Sequence, residues 1–148
     1  MSGEIEFFVP GIPQPGGSKR GIFNAKLRRT LIFENNPEAN RNWRAAVALA
    51  ASEAMEGKGI FGGALFVRIV FQMPRPKAHY GAKGILKKSA PVWNTKKPDV
   101  TKLIRSTEDA MTGVVWKDDA QIAHSCAFKR YSDDQCGALI RVGNTQIS

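Results

Sequence analysis

Residues 96–122, "KKPDVTKLIRSTEDAMTGVVWKDDAQI", hold a helix, its terminator and the way back into a sheet. From Val100 the positions Leu103, Ile104, Thr107, Ala110 and Met111 recur at three- and four-residue spacing, which predicts one buried face of an amphipathic helix over Val100–Thr112. Asp99 follows Pro98 as a preferred N-cap, and Gly113 supplies the stop. Val114–Trp116 then reads as a strand. The Asp-rich "KDD" reads as the turn into another strand over Gln121–Tyr131, because Asp tolerates turn geometry and bonds its own backbone.

Upstream, Ala64–Met73 alternates Leu65, Val67, Ile69, Phe71 and Met73 on one side with Phe66, Arg68, Val70 and Gln72 on the other, and stops at Pro74. That is a strand with one face in a core. Ile5–Val9 is a shorter strand closed by Pro10 and Gly11, and Ala138–Val142 is a last one. Asn36 before Pro37 is a good helix start; Trp43, Val47, Ala50 and Ala54 then keep helical spacing up to Gly57. Residues 12–29, rich in Gly, Pro and cations, read as a loop with mobile parts, and 75–97 as a long basic loop. The order strand, helix, strand, helix, strands predicts an α/β (α+β) fold: one domain over 1–148, with a small mixed, mostly antiparallel sheet and two main helices.

The 148 residues carry a formal charge of +9, placed unevenly. Between Arg75 and Arg105 nine Lys or Arg stand against Asp99 alone, whereas from Ser106 onward six acids outnumber four bases. Two basic segments suggest a polyanion partner. A binder acting only through phosphate attraction gains nothing from carboxylates in its footprint, so the acids point to chemistry. Hard oxygen ligands ringed by Lys96, Lys97 and Lys102 suit a divalent cation acting on a phosphodiester. Cys126, Cys136, His79 and His124 have no metal-ligand or disulfide spacing and read as packing or surface residues. No apolar run approaches the roughly 20 residues that cross a bilayer, and the N-terminus lacks the order of a secretory signal. A cytoplasmic, soluble protein with no membrane contact is expected.

The stretch "KPDVTKLIRSTEDAMTGVVWKDDAQI" resembles the core motif of the RusA-type Holliday junction resolvases, a family often carried by phages and prophages. That motif runs approximately K-P-D-x-D-N-L-x-K, then D-A-L, then D-D-x-Q. The opening "FFVPGIPQPGGSKR" resembles the family's first strand and basic loop more loosely. The resemblance implies a RusA-like, homodimeric, magnesium-dependent endonuclease, with manganese able to substitute, which nicks four-way DNA junctions in pairs inside a bacterial host. Carried over by position, Asp99 matches the first catalytic aspartate and Asp119 the last, with Asp118 beside it; these three are the implied metal ligands. Arg105 stands where the family has a catalytic lysine. It can offset phosphoryl charge but cannot serve as an acid.

Two positions depart from the pattern. Thr101 occupies the family's second aspartate position, and Lys102 stands at the usual Asn. Thr101, Arg105 and Glu108 share one helical face, so Glu108 either supplies the missing carboxylate or is a solvated helix residue, with Thr101 left to hold a metal-bound water. Lys19, Arg20, Lys26, Arg28, Arg29, Lys87, Lys88, Lys96, Lys97 and Lys102 are the expected phosphate contacts. The alternative function is a junction or branched-DNA binder with lost or weakened cleavage, for which Thr101 is the argument. A single-strand binder would want more aromatics among its cations than Tyr80 and Trp93.

Overall fold

The computed structural model describes residues 3–16, 19–24, 29–34 and 37–145; along 19–24 and 29–34 only the backbone is described. Strand β4 (Leu65–Met73) is the centre of the molecule. Leu65, Val67, Ile69, Phe71 and Met73 are buried, so alternation has the physical cause read from it. β4 pairs antiparallel with β6 (Gly137–Asn144), aligning Ile69 with Ile140, and parallel with β5 (Ile122–Tyr131), aligning Ile69 with Ala127. β1 (Glu4–Pro10) adds antiparallel to β6, giving the order β1-β6-β4-β5. The result is the expected small α+β fold on a mixed four-stranded sheet.

Both helices pack together and bury their apolar stripes in one core. α1 (Pro37–Ala54) inserts Trp43 and Val47, and α2 (Val100–Met111) inserts Leu103 and Met111. Truncating a fully buried side chain such as Leu103 to Ala costs about 2–5 kcal/mol, from lost transfer energy and the cavity left behind. α1 leans on β1, and α2 lies beside the edge strand β5. Two buried polar residues fix α2 rotationally. Thr107 Oγ1 accepts from Trp43 Nε1 at 3.2 Å, and Ser106 donates to the backbone carbonyl of Gln14.

The segment after β1 is thereby tied to α2 at Gln14 and Gly16. Gly16 N–H donates to Lys102 O at 2.9 Å, and a Cβ on Gly16 would stand 2.9 Å from Ser106 Cβ, so only glycine permits this approach. Beyond it the expected loop is corrected: β2 (Lys19–Asn24) and β3 (Arg29–Glu34) form an antiparallel two-stranded sheet. Glycine, proline and cations around them obscured the short apolar runs Ile22, Phe23 and Leu31, Ile32, Phe33. The capping position Asn36 lies outside the described residues.

Val114–Trp116 is also corrected. Gly113, at φ +87°, ends the helix, and Gly113 N–H donates to Trp116 O at 2.7 Å, closing a tight turn instead of a strand. Val115 and Trp116 are apolar because they are fully buried, not because they belong to a sheet. Residues 75–97 do form a long, largely exposed connection. Cys126 and Cys136 are free thiols, as expected. Among the described residues no helix is long and apolar enough to cross a membrane.

Candidate active site

At the N-terminal end of α2, Asp99 occupies the N-cap position, but its side chain makes no capping hydrogen bond. Its backbone carbonyl accepts from the Lys102 and Leu103 N–H groups, both at 3.1 Å. Its carboxylate is exposed and meets Lys102 Nζ at 4.0 Å. The cap explanation for an aspartate here therefore accounts for the position and not for the charge. Lys129 on β5 donates to Lys96 O at 2.5 Å and to Pro98 O at 2.7 Å, clamping the backbone that leads into Asp99. Thr101 and Arg105 are exposed on α2, as are Lys96, Lys97 and Lys102 around its start and Lys87 and Lys88 in the long loop.

At the C-terminal end a different set gathers. Asp119 Oδ1 accepts from Trp116 Nε1 at 3.0 Å and from the hydroxyl of Thr112, the residue after α2. Glu108, one turn back, is half-buried. Burial, together with the Asp119 and Asp109 charges, pushes its carboxyl up to about 7 against a hydrogen bond from Ser125 that lowers it. Glu108 Oε2 is buried without a hydrogen-bond partner. Asp109 is drawn off toward Arg44, 3.8 Å away, so that cation serves Asp109 rather than Glu108.

Asp118 is close in sequence but differs in use. Its Oδ1 caps a short 3-10 turn, accepting from Ala120 N–H at 2.8 Å, and Gln121 Oε1 returns the bond to Asp118 N–H at 3.0 Å. Gln121 Nε2 also donates to Phe61 O and Gly63 O, both at 3.1 Å. The expected turn into the next strand is closed by a capping box that launches β5 parallel to β4, and it fixes where the neighbouring Asp119 stands.

The two ends are not one place. α2 has 12 residues, so at about 1.5 Å per residue roughly 18 Å of helix separates Asp99 from the Thr112–Asp119 hydrogen bond. Magnesium–oxygen bonds are about 2.1 Å, so Asp99 and Asp119 of one chain cannot share an ion. Among the described residues no three His, Cys, Asp or Glu side chains of one chain are arranged to hold a metal. Glu108 and Asp119 do fit one as a partial set: two oxygen-donor side chains, one with an orphaned buried oxygen and a raised pKa that a cation would relieve.

Lys26 and Arg28 lie outside the described residues, and Lys19, Arg20 and Arg29 are placed by backbone alone, in β2 and β3. Sequence reasoning gave no role to Ser125 or Lys129, because a polar residue on an edge strand leaves no periodic mark, and it met Gln121 only as the Gln of the D-D-x-Q motif. It also missed Arg75 and Asn94, which are buried in a segment that reads as pure loop.

Comparison with known proteins supplies the family. The family model for Endodeoxyribonuclease RusA matches residues 13–143, taking in both ends of α2, the basic hairpin and the whole sheet but for its outer strand. An uncharacterized Bacillus subtilis (strain 168) protein, YqaN, is 27% identical over 132 residues, spanning 88% of this chain and 89% of that protein. With its motif mounted on the helix, turn and edge strand that this match spans, the chain belongs to the RusA endodeoxyribonuclease family.

Proposed function

We propose that this Holliday junction endonuclease is magnesium-dependent and works as a homodimer that makes paired nicks. The observation that carries the metal reading is Glu108, whose buried oxygen lacks a partner and whose carboxyl is raised by burial and by the Asp119 charge, with no ion pair to Glu108 or Asp119 among the described residues. A protein gains no stability from a carboxylate so placed, so it is expected to serve a ligand. When bound, a divalent ion there supplies neutralisation of phosphoryl charge and a water acidic enough to attack.

The chain's own residues divide the remaining work. Glu108 and Asp119 hold the ion, and Asp118 keeps Asp119 in place through its capping box. Arg105, exposed between the two ends, offsets charge developing on the phosphodiester. Lys87, Lys88, Lys96, Lys97 and Lys102 hold the junction arms by phosphate contacts, joined by Lys19, Arg20, Lys26, Arg28 and Arg29. Asp99, a helix length away, joins an ion at Asp119 only if it comes from a second copy. Two-fold pairing supplies such a copy twice over and matches the near two-fold symmetry of a four-way junction. Thr101 adds an exposed hydroxyl beside Asp99 in place of a carboxylate.

The second reading, a junction binder with lost or weakened cleavage, is favoured by Thr101 alone. A labelled four-way junction incubated with magnesium, with manganese and with EDTA decides between them. Nicking in either metal and none in EDTA supports the nuclease. Equal binding to junction and linear duplex, with no nicking in any arm, removes it.

A further inference from the structure

Beside Asp99 opens a cavity of about 750 Å³, walled by the Ile12–Pro15 segment, the end of β4 and the Asn94–Lys102 run. Its volume falls within the roughly 300–1,000 Å³ usual for small-ligand sites. Met73 and Tyr131 line its apolar part with five prolines, rigid side chains that do not collapse inward. Lys96, Lys97 and Lys102 line it as well, and all three are exposed to solvent. The character is therefore mixed: flat and apolar within, cationic at the entrance.

One buried group there lacks a partner. The Arg75 side chain is only 4% exposed and lines the cavity. Its Nη1 donates to Pro91 O at 2.7 Å, its Nη2 to Asp133 Oδ1 at 3.1 Å, and its guanidinium lies 5.2 Å from the Tyr131 ring centroid. Held on these sides, it leaves its Nε–H buried and unpaired. A buried charged donor left without a partner at the wall of a cavity calls for a ligand acceptor. Asn94, also buried, has its Oδ1 engaged by Lys96 N–H at 2.8 Å, which leaves its amide NH2 as the part able to donate to a ligand.

We propose that this cavity receives an unstacked nucleotide of the branched DNA: the base lies between Met73, Tyr131 and the prolines, an acceptor on it meets Arg75 Nε–H, and its phosphate rests on Lys96, Lys97 and Lys102. The inference rests on the branched-DNA reading above and adds a subsite to it. Apolar walls with a few fixed donors are what an extruded base requires, and cations suit its phosphate. Bases at a branch point are the cheapest to extrude, since stacking is already interrupted there. The subsite adjoins Asp99, so an extruded nucleotide would register the strand at that end of α2.

The test uses the full-length protein and a four-way junction carrying one photoreactive 5-iododeoxyuridine, placed in turn at each branch position and deep in an arm, with EDTA present to prevent nicking. The expected result is a branch-specific adduct on Met73 or Tyr131, absent with the arm probe. Adducts confined to the exposed Trp93 and Tyr80, or no adduct at all, would overturn the subsite. Arg75→Lys keeps a cation for Asp133 but removes Nε–H; it is expected to cut the branch adduct at least fivefold while melting normally. An unchanged adduct in that variant overturns the role given to Arg75, and if it fails to fold the wild-type adduct map decides alone. Nicking of an unmodified junction in magnesium by the same preparation separates loss of this subsite from loss of the nuclease reading.

Discussion

The two ends of α2 are built on opposite principles. At the N-terminal end one carboxylate, Asp99, stands exposed among Lys96, Lys97 and Lys102, and beside a cavity. At the C-terminal end burial, with the charges of Asp119 and Asp109, pushes Glu108 up to about 7. On the proposed reading the first end takes phosphates and the second a cation. A nuclease needs both within one substrate's reach, yet a helix of 12 residues holds them apart in each chain. In the proposed enzyme the motif, contiguous in sequence, would supply two half-sites.

The contrast is most exposed to challenge at its aspartates. Asp119→Asn is expected to lower junction cleavage at least ~100-fold, since even changes behind the ligands commonly cost ~10 to 100-fold. Asp99→Asn is expected to do the same, with junction binding retained or tighter because a charge repelling phosphate is gone. The absence of a side-chain capping bond means that Asp99→Asn leaves the fold alone. Normal cleavage by Asp99→Asn, read on a labelled junction, would reduce Asp99 to a helix-start residue.

Glu108→Gln comes next, with an expected loss of about tenfold or more in cleavage. A surface Glu would show no such loss. The same variant carries a stability signature. The folded-state carboxyl is raised from 4.5 to about 7, so between those values the folded protein holds a proton that the unfolded chain has released. The stability this group contributes to the metal-free protein is therefore fully present below pH 4.5 and lost as pH rises through 7. Glu108→Gln is expected to melt higher than wild type at pH 8, by roughly 1 kcal/mol after allowance for solvent screening, with little difference at about pH 4.5. Magnesium should raise the wild-type melting temperature more at about pH 8 than at about pH 5, and leave the variant less affected.

Smaller effects are expected in the cationic half. Lys96→Ala with Lys97→Ala should weaken junction binding several-fold and flatten its logarithmic salt dependence by about 1 to 2, roughly one for each phosphate no longer neutralised. Thr101→Asp restores the family residue at an exposed first-turn position and is expected to raise cleavage a few-fold. A fall in activity would mean that Thr101 is itself suited to the site.

Much of the framework was readable because burial there is periodic. Leu65 to Met73 alternate since every second side chain enters the core, and the stripe on α2 follows from packing against α1 and β5. The β2–β3 hairpin escaped because glycine and cations interrupt the pattern, and Val115 and Trp116 misled because a buried turn is as apolar as a strand. In the site, residue types were visible but their grouping was not. Asp118 and Asp119 are adjacent, yet one caps a turn while the other accepts from Trp116. Glu108 was left open between ligand and solvated residue, and its half-burial with an unpartnered oxygen was not legible from helical spacing. The separation of Asp99 from Asp119 was implicit in the helix length itself.

The most direct measurement is made on mixed dimers in which one subunit carries Asp99→Asn and its differently tagged partner carries Asp119→Asn, isolated by sequential affinity purification. If the two half-sites meet between protomers, one interface has lost both carboxylates and the other retains both. Such dimers are then expected to nick a four-way junction in magnesium at about half the wild-type rate and on one strand only, while each variant homodimer stays inactive. Mixed dimers as inactive as the variant homodimers, beside an active wild-type control, would place both aspartates in the same chain's site and contradict the division of α2 into two halves.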